Sequence, residues 1–181
     1  MMGHRRHRLE APRQVPTAVL TISDTRTQDT DTSGALIRRL LSRAGHPIVG
    51  SAILPDEPAR IRRALRAWGR DRRIRAVILT GGTGISPRDG TFEAVDGLLE
   101  KKLEGFGEIF RMLSYRQIGA SAILSRAVAG TYRNQILFSL PGSEKAVTLA
   151  MEKIILPELG HLAHELSRRP PTRASRRNVR S

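Results

Sequence analysis

The chain has 181 residues, of which 39% are hydrophobic and 27% charged, and its formal net charge is +14. This length suits one domain with a substantial core and is short for two. The lack of cysteine excludes disulfides, thiolate catalysis and cysteine-ligated metal sites, and no apolar run approaches the roughly 18 residues of a membrane helix. The basic N-terminus has no apolar segment after it, so a secretory signal is not expected and a cytoplasmic location is the default.

The positive charge is concentrated at the two ends of the chain. Residues 1–14 carry four arginines and one glutamate, and residues 167–181 carry six arginines and no acid. Both stretches lack apolar periodicity, which predicts disordered basic tails flanking one domain at residues 15–166. Contact with nucleic acid is one explanation for the tails. A coding bias toward arginine is the favoured explanation, since arginine supplies 27 of the 31 basic residues and the seven aromatics offer no evident stacking platform.

The first half of the chain alternates strand and helix patterns. Apolar, β-prone runs predict three strands: residues 15–22, 48–54 and 74–80. Helical spacing of apolar residues predicts two helices: residues 33–44 and 57–70. Eight arginines lie between Arg60 and Arg75. They suit either a basic patch or the solvated face of the second helix with its trailing loop, and the helical spacing of Ile61, Leu65 and Trp68 favours the solvated face.

The second half of the chain continues the alternation. Helices are predicted at Thr91–Leu103 and Gly105–Ile118. Residues 127–140 contain two β-prone runs split by Arg133-Asn134, which is typical of a hairpin. A long helix is predicted from about Glu144 to Leu156, where Pro157 should break it before a last helix that ends near Leu166.

This alternation predicts an α/β fold with a mostly parallel sheet covered by helices on both faces. Ligands bind beyond the carboxyl ends of the strands in such sheets. Small, hydroxylated and acidic residues follow the predicted strands and should gather at that edge: Ser23, Asp24, Asp29, Asp31, Asp56, residues 80–89 and residues 141–143. Ser33-Gly34 suits either a helix cap or a hydroxyl and amide donor to a ligand.

The segment LTGGTGISPRDGT (79–91) follows the third predicted strand. Glycines allow the backbone to bend tightly, and successive N–H groups followed by a helix N-terminus can bind an anion. The segment matches neither a Walker loop nor GxGxxG, so a plain turn and a phosphate cradle stay equally open on composition. Asp56 and Asp89 suit a Mg²⁺ held with a nucleotide, although a helix cap or a loop acid would explain each of them alone.

The histidines do not indicate a catalytic site. Nothing near the five histidines supplies a nucleophile or a metal-ligand spacing. They are interpreted as ordinary surface or packing residues: His4, His7, His46, His161 and His164.

Several segments together resemble the MoaB/Mog family of molybdenum-cofactor biosynthesis proteins. The matching pieces are VLTISDT (19–25), DTSG (31–34), PDE (55–57), LTGGTGISPRD (79–89), SRAVAG (125–130) and LPGS-x-KA (140–146). The resemblance covers roughly residues 15–160, and the segment EGFGEIFRMLSYRQIGAS (104–121) is similar to the MoaB branch.

The resemblance implies a three-layer α/β/α molybdopterin-binding fold in trimers or trimer-based hexamers. It implies adenylylation of molybdopterin by Mg-ATP with release of pyrophosphate, and contacts with other molybdenum-cofactor biosynthesis proteins. By motif match, Asp56 and Asp89 correspond to the family's catalytic acids and would hold Mg²⁺. The implied substrate-binding residues are Ser23, Asp24, Asp31, Ser33, Gly34, Thr80, Gly81, Gly82, Thr83, Gly84, Ser125, Pro141, Gly142 and Ser143.

One position departs from the family pattern. Active members often continue Asp-x-Thr-Pro-Glu after the glycine loop, whereas this chain has Phe92 in place of the proline. Some members of the MoaB branch bind the pterin without adenylylating it. A pterin-binding carrier is therefore the alternative function, and retention of both Asp56 and Asp89 favours activity.

Overall fold

The computed structural model describes residues 12–168. A six-stranded sheet with strand order β2-β1-β3-β6-β5-β4 forms its centre. The strands are β1 (Thr17–Ile22), β2 (Ile48–Leu54), β3 (Ala76–Thr80), β4 (Lys101–Lys102), β5 (Val128–Tyr132) and β6 (Gln135–Leu140). Strands β1, β2, β3 and β6 run parallel, while β5 is antiparallel to both β6 and β4. The predicted α/β class with a mostly parallel sheet is confirmed.

Six α-helices connect and cover the strands within the described range. They are α1 (Thr32–Arg43), α2 (Pro58–Trp68), α3 (Thr91–Asp96), α4 (Glu104–Ile118), α5 (Glu144–Ala150) and α6 (Leu156–Ser167). A 3₁₀ segment (Gly119–Leu124) follows α4, and a π-helical turn (Met151–Ile155) joins α5 to α6.

The helices form one layer on each face of the sheet. Helices α1, α4, α5 and α6 pack in one apolar core that includes Val19, Ile78 and Phe138 of the central strands. Helices α2 and α3 pack in a second core with the alternate strand residues, such as Leu20 and Leu79. Successive strand residues point to opposite faces, so a continuous apolar run serves both cores. The three-layer arrangement is confirmed.

Local sequence explains several element boundaries. The Asp31 carboxylate caps α1 by accepting a hydrogen bond from the Gly34 N–H at 2.8 Å. Gly45 follows the helix with φ +80°, a conformation that favours glycine. Arg133 adopts φ +55° in the two-residue turn between β5 and β6, so the predicted hairpin is confirmed.

The predicted helix Thr91–Leu103 is wrong in its second half. Helix α3 ends at Asp96, and the chain then turns into the short edge strand β4. Backbone hydrogen bonds on either side of β4 hold it against β5: Glu100 N–H to Thr131 O, and Leu103 N–H to Ala129 O. Pairing with a distant strand overrides the helical spacing of the local apolar residues.

The predicted break at Pro157 is also wrong. The chain continues from α5 through the π-helical turn into α6, and Pro157 lies in the first turn of α6. Proline has no N–H to donate, and the first turn of a helix tolerates that loss. The wider π turn just before it lets the helical path continue.

Most of the two predicted basic tails lies outside the described residues, which include only 12–14 and 167–168 of them. Among the helices of the described range, none is long and apolar enough to cross a membrane.

Candidate functional site

The topology creates a crevice at the carboxyl ends of β1 and β3. Strand β1 leads into α1 on one face of the sheet, whereas its neighbour β3 leads into α3 on the other face. Their outgoing connections diverge, which leaves a gap between them, and open α/β sheets bind ligands at such a switch point. The glycine-rich segment 81–90, called the glycine loop from here on, lies at this edge.

The glycine loop begins in a conformation that requires glycine. Gly81 has φ +104° and Gly82 has φ +63°. A Cβ at Gly81 would lie 2.1 Å from the carbonyl oxygen of Ile22, and the Gly81 N–H donates to Leu140 O at 3.0 Å. The start of the loop is therefore held between the ends of β1 and β6.

The backbone of the glycine loop presents a run of unused donors. The N–H groups of residues 82–85 donate to no acceptor within the described part of the chain. The loop beyond them is closed by internal bonds, such as Asp89 N–H to Ser86 O at 2.9 Å and Thr91 N–H to Gly82 O at 3.0 Å. Successive N–H groups without protein acceptors can form a concavity that binds an anion.

Asp56 lies directly beneath the glycine loop. Its side chain is buried, with Oδ1 accepting from the Gly90 N–H and the Thr91 hydroxyl at 3.2 Å each. A Cβ at Gly82 would lie 2.1 Å from Asp56 Oδ2, and this oxygen accepts no hydrogen bond from the described residues. Asp56 does not cap α2, whose N-cap residue is Glu57. The capping explanation therefore does not account for Asp56.

Burial raises the pKa of the Asp56 carboxyl above its ordinary value. The hydrogen bonds from Gly90 and Thr91 act in the opposite direction, and the negative charges of Asp89 and Asp24 raise the pKa further. An ionised Asp56 is thus incompletely compensated by the protein, and a cation beside Oδ2 would compensate it.

Asp89 lies near the far end of the glycine loop, and its side chain folds back against that loop. Its Oδ2 accepts from the Ser86 N–H at 3.1 Å, and a Cβ at Gly84 would lie 2.5 Å from the same oxygen. The Asp89 side chain does not cap α3, because the N-cap position of that helix is occupied by Gly90 and no side chain bonds to it there. Of the two predicted acids, Asp56 therefore packs against the glycine loop and Asp89 belongs to it. No cluster of three or more metal-ligating side chains is found in residues 12–168, so an ion held here would take its remaining ligands from water and substrate.

Asp24 braces the glycine loop against the end of β2. Arg88 donates to both of its carboxylate oxygens at 2.9 Å, and Asp24 Oδ1 also accepts from the Asp56 N–H at 3.1 Å. The Arg88 hydrogen bonds, helped by the one from Asp56, lower the pKa of Asp24. The neighbouring Ser23 hydroxyl accepts from the N–H groups of Thr25 and Arg26. Sequence reasoning assigned no role to Arg88, although an arginine beside Asp89 in the motif was a signal for an ion pair.

The DTSG segment ties α1 to its surroundings. The buried Asp31 carboxylate accepts from the Thr21 hydroxyl at 2.9 Å and the Gly34 N–H at 2.8 Å. A Cβ at Gly34 would lie 2.2 Å from Asp31 Oδ2, so glycine allows this close packing. The Ser33 hydroxyl donates to Gly142 O at 3.1 Å. These polar groups act within the protein, and they hold the β6–α5 loop beside the glycine loop.

The segment 141–143 packs directly against the glycine loop. The Thr80 hydroxyl donates to Pro141 O at 3.1 Å, and a Cβ at Gly142 would lie 3.3 Å from Gly81 Cα. Ser143 caps α5 by accepting from the Ala146 N–H at 3.2 Å. Thr83, in the glycine loop, is buried with 5% of its surface exposed. The loops after β3 and β6 thus form one surface, as the predicted convergence required.

Ser125 shares a cavity with the β6–α5 loop, and neither Asp56 nor Asp89 lines this cavity. This cavity has a volume of about 220 Å³ and is lined by Ser125, Pro141 and Ser143, together with Lys145. The end of α4 and the 3₁₀ segment form its other wall. Lys145 adds a positive charge that sequence reasoning did not assign, although it lies within the LPGS-x-KA motif.

Arg126 is a further contact that sequence reasoning missed. It donates to Gly84 O at 2.8 Å and forms an ion pair with Glu93. Its guanidinium lies 4.3 Å from the centre of the Phe92 ring. Arg126 therefore links the glycine loop to α3, and Phe92 provides an aromatic surface beneath it. Its place in the SRAVAG segment was the only signal in the sequence.

The chain is similar in sequence to known proteins. Residues 18–161 match the family model described as "Probable molybdopterin binding domain". The Molybdenum cofactor biosynthesis protein B of Bacillus cereus is 50% identical over 163 residues, which is 90% of this chain and 96% of that protein.

Solved structures agree with these sequence matches. A crystal structure of a Molybdenum cofactor biosynthesis protein B has a TM-score of 0.85 at 50% identity and covers 88% of this chain and 99% of its own. The tungsten cofactor synthesizing protein MoaB from Pyrococcus furiosus has a TM-score of 0.79 at 36% identity, with 87% and 100% coverage. With its sheet topology and paired acids at the switch point, the chain belongs to the MoaB/Mog family of molybdenum-cofactor biosynthesis proteins, within its MoaB branch.

Proposed function

We propose that this protein adenylylates molybdopterin with ATP and releases pyrophosphate. Membership of the MoaB branch supports a role in molybdenum cofactor biosynthesis. The observation that carries the finer proposal is that the N–H groups of residues 82–85, which have no acceptor among the described residues, lie on the loop that contains Asp89 and packs against Asp56. Donors hold phosphate oxygens, whereas acids hold the cation that accompanies a triphosphate.

In the proposed reaction, a terminal phosphate oxygen of the pterin attacks the α-phosphorus of ATP. A P–O bond forms there, the bond to the bridging oxygen breaks, and pyrophosphate leaves with the bonding pair. Such a transfer depends on placement and charge neutralisation more than on covalent help from side chains. The N–H groups of the glycine loop would orient the phosphates through hydrogen bonds.

The two acids fit a divalent cation. Asp56 has a raised pKa and an oxygen that accepts no hydrogen bond from the described residues, while Asp89 adds a second negative charge nearby. Asp56 and Asp89 would hold Mg²⁺ together with substrate phosphates, and the bound ion would neutralise charge on the triphosphate. The Asp24–Arg88 pair would keep the backbone that carries Asp56 in place.

The cavity beside Ser125 would receive the pterin side of the substrate. It opens between α4 and the β6–α5 loop, next to Pro141 and Ser143. Lys145 at its wall would pair with a phosphate. A non-catalytic pterin carrier is the second candidate, because neither acid lines this cavity, which could bind a pterin without ATP.

One assay separates these two functions. Purified protein, molybdopterin and Mg-ATP are incubated, and adenylylated pterin and pyrophosphate are quantified. Asp89→Asn should lower the turnover by about 100-fold or more while changing pterin affinity little, because charge placement acts mainly in the transition state. Asp96→Asn is the matched control, since Asp96 is a nearby acid that pairs with Lys102. Wild-type protein that binds pterin but yields no product and shows no ATP affinity would be a carrier.

We also propose a homo-oligomer of three or six chains. Helix α4 and the 3₁₀ segment expose a band of large apolar side chains: Ile109, Met112, Tyr115, Ile118, Ile123 and Leu124. Contiguous exposed apolar surface of this kind marks association sites. Sedimentation equilibrium should give a trimer or hexamer, and Ile123→Asp, at a side chain that is 82% exposed, should shift the population toward monomer. A wild-type monomer at all concentrations would contradict this proposal.

A further inference from the structure

A second cleft lies at the opposite edge of the sheet. It has a volume of about 660 Å³ and is lined by residues of the segments 69–75 and 133–135. Strand β3 begins at Ala76 and β6 begins at Gln135, so the cleft lies at the amino ends of these strands. The five residues of β3 separate it from the glycine loop by about 16 Å, at roughly 3.3 Å per residue. The cleft is therefore distinct from the site described above.

The amino-edge cleft is positively charged. Arg70, Arg72, Arg75 and Arg133 line it, with Asp71 as the one acid. Arg73 donates to both oxygens of Asp71, at 3.0 and 2.7 Å, and these bonds lower the pKa of Asp71 to about 2. Because Asp71 is paired with Arg73, its negative charge does not neutralise the positive charges of the arginines that line the cleft. Arg70 and Arg72 are exposed and form no ion pair with any residue in the range 12–168.

Two buried polar atoms in the cleft wall have no hydrogen-bond partner among the described residues. One is Gln135 Oε1, on a side chain that is 2% exposed and whose amide donates to Trp68 O at 2.6 Å. The other is Arg75 Nε, although another nitrogen of that guanidinium donates to Ala163 O at 3.3 Å. Buried polar groups are rarely left without partners. Both atoms are buried beneath the cleft surface, so the exposed arginines Arg70, Arg72 and Arg133 are the groups that a ligand would reach.

We propose that the amino-edge cleft is a second ligand site, which binds a small phosphorylated anion of nucleotide size. Guanidinium groups match phosphate oxygens with paired hydrogen bonds. The cleft volume falls within the range of about 300–1,000 Å³ typical of small-molecule sites. The proposal concerns the opposite edge of the sheet and does not depend on the adenylylation reaction.

A small ligand fits this cleft better than a nucleic acid. Binding of single strands relies on exposed aromatic rings that stack with bases. The aromatic residues beside the cleft are Tyr132, which is 9% exposed, and Trp68, which is half-buried. The cleft offers positive charge without an exposed ring on which bases could stack. A small phosphorylated ligand therefore suits the cleft better than a nucleic-acid strand.

Trp68 provides a local reporter of binding. It is the single tryptophan of the chain, its carbonyl accepts from Gln135, and the next residue, Gly69, lines the cleft. We expect tripolyphosphate to change the tryptophan fluorescence saturably with one site per chain. Stronger binding of ATP than of tripolyphosphate would identify a nucleotide as the ligand, and equal binding would identify the phosphate chain itself. Absence of any saturable change with both anions would overturn the proposal.

Matched charge variants test whether the cleft itself binds. Arg70→Gln/Arg72→Gln should weaken tripolyphosphate binding by about ten-fold or more, the effect expected for losing two charge-assisted contacts. Arg63→Gln/Arg66→Gln removes the same charge from exposed positions of α2 outside the cleft and should have less than about a two-fold effect.

Three outcomes would contradict the proposal or separate it from the proposed reaction. Equal weakening in both double variants would show general electrostatic attraction and overturn the site. Tighter binding of a short single-stranded oligonucleotide than of either small anion would show a nucleic-acid surface instead. Asp89→Asn should leave the fluorescence response unchanged, whereas tighter tripolyphosphate binding in this variant, which removes a negative charge from the glycine loop, would place the binding at that loop.

Discussion

The carboxyl and amino edges of the sheet differ in how their polar side chains are bonded. At the carboxyl edge, loops after β1, β2, β3 and β6 are tied to one another by short side-chain bonds, such as Ser33 to Gly142 O at 3.1 Å. At the amino edge, arginines project around an open cleft, and the ion pair of Arg73 with Asp71 spans only two residues. These bonds make the first edge a preorganised surface, whereas Arg70 and Arg72 at the second edge are exposed and form no ion pair with the described residues.

The largest difference between the edges should appear on substituting their glycines. Gly81→Ala should lower the free energy of unfolding by about 2–4 kcal/mol, because φ is +104° and the new Cβ would meet Ile22 O at 2.1 Å. Gly45→Ala, at the amino edge, has φ +80° but no atom within 4 Å and should cost about 1 kcal/mol. Urea denaturation measures both. Equal losses would show that backbone strain alone matters.

Arginine substitutions should separate the edges by a smaller amount. Arg126→Gln should lower the free energy of unfolding by about 1 kcal/mol, since it removes a bond to Gly84 O, an ion pair and a ring contact. Arg73→Gln should cause no measurable change, because its partner is local and its side chain is 78% exposed. Thermal unfolding of the two variants tests this, and a larger loss for Arg73→Gln would reverse the comparison.

Asp56→Asn should stabilise the fold slightly, by less than about 1 kcal/mol at neutral pH, while removing activity. Burial raises the pKa of Asp56 above its ordinary 3.8, so the folded state binds its proton more tightly than the unfolded chain does. Wild-type stability relative to Asp56→Asn should therefore fall as pH rises from 3.8 through the raised pKa, and then stay constant. Denaturant titrations between pH 4 and 8 measure this, and a less stable variant at neutral pH would contradict it.

His46, at the amino edge, should show the opposite pH dependence. Its Nδ1 accepts from the Val15 N–H at 3.0 Å, and burial lowers its pKa below the ordinary 6.5. The folded state therefore binds this proton less tightly, so wild-type stability relative to His46→Asn should fall as pH drops below 6.5. The same titrations measure it, and a pH-independent difference would show that His46 is equally accessible to protons in both states.

The smallest expected effect concerns Phe92. Phe92→Pro restores the residue common in active relatives and lies in the first turn of α3, where a missing N–H costs little. Loss of the ring beneath Arg126, 4.3 Å away, should cost no more than about 1 kcal/mol. Turnover should change by less than a few-fold. Phe92→Leu is the control that removes only the aromatic face, and a large gain in turnover for Phe92→Pro alone would show that the proline itself matters.

Much of this molecule could be predicted from local pattern. The strand–helix alternation, the hairpin around Arg133 and the approach of Asp56 and Asp89 all follow from apolar periodicity and from the rule that parallel strands end at one edge. The predictions failed at β4 and Pro157. There, pairing with a distant strand and a π turn decided the path of the chain, and neither leaves a periodic signal.

The sequence by itself determined which residue types follow each strand, with glycines after β3 and carboxylates after β1 and β2, because residue type and apolar periodicity are local properties. Only the tertiary structure decided which of those residues are bonded within the protein and which have groups left for a ligand. It placed Asp31 and Ser33 in internal bonds and left the N–H groups of residues 82–85 without acceptors among residues 12–168. It also placed Arg88 and Arg126 against the glycine loop and left Gln135 Oε1 without a partner in the described chain. Such assignments depend on contacts between segments far apart in the chain, which no local pattern contains.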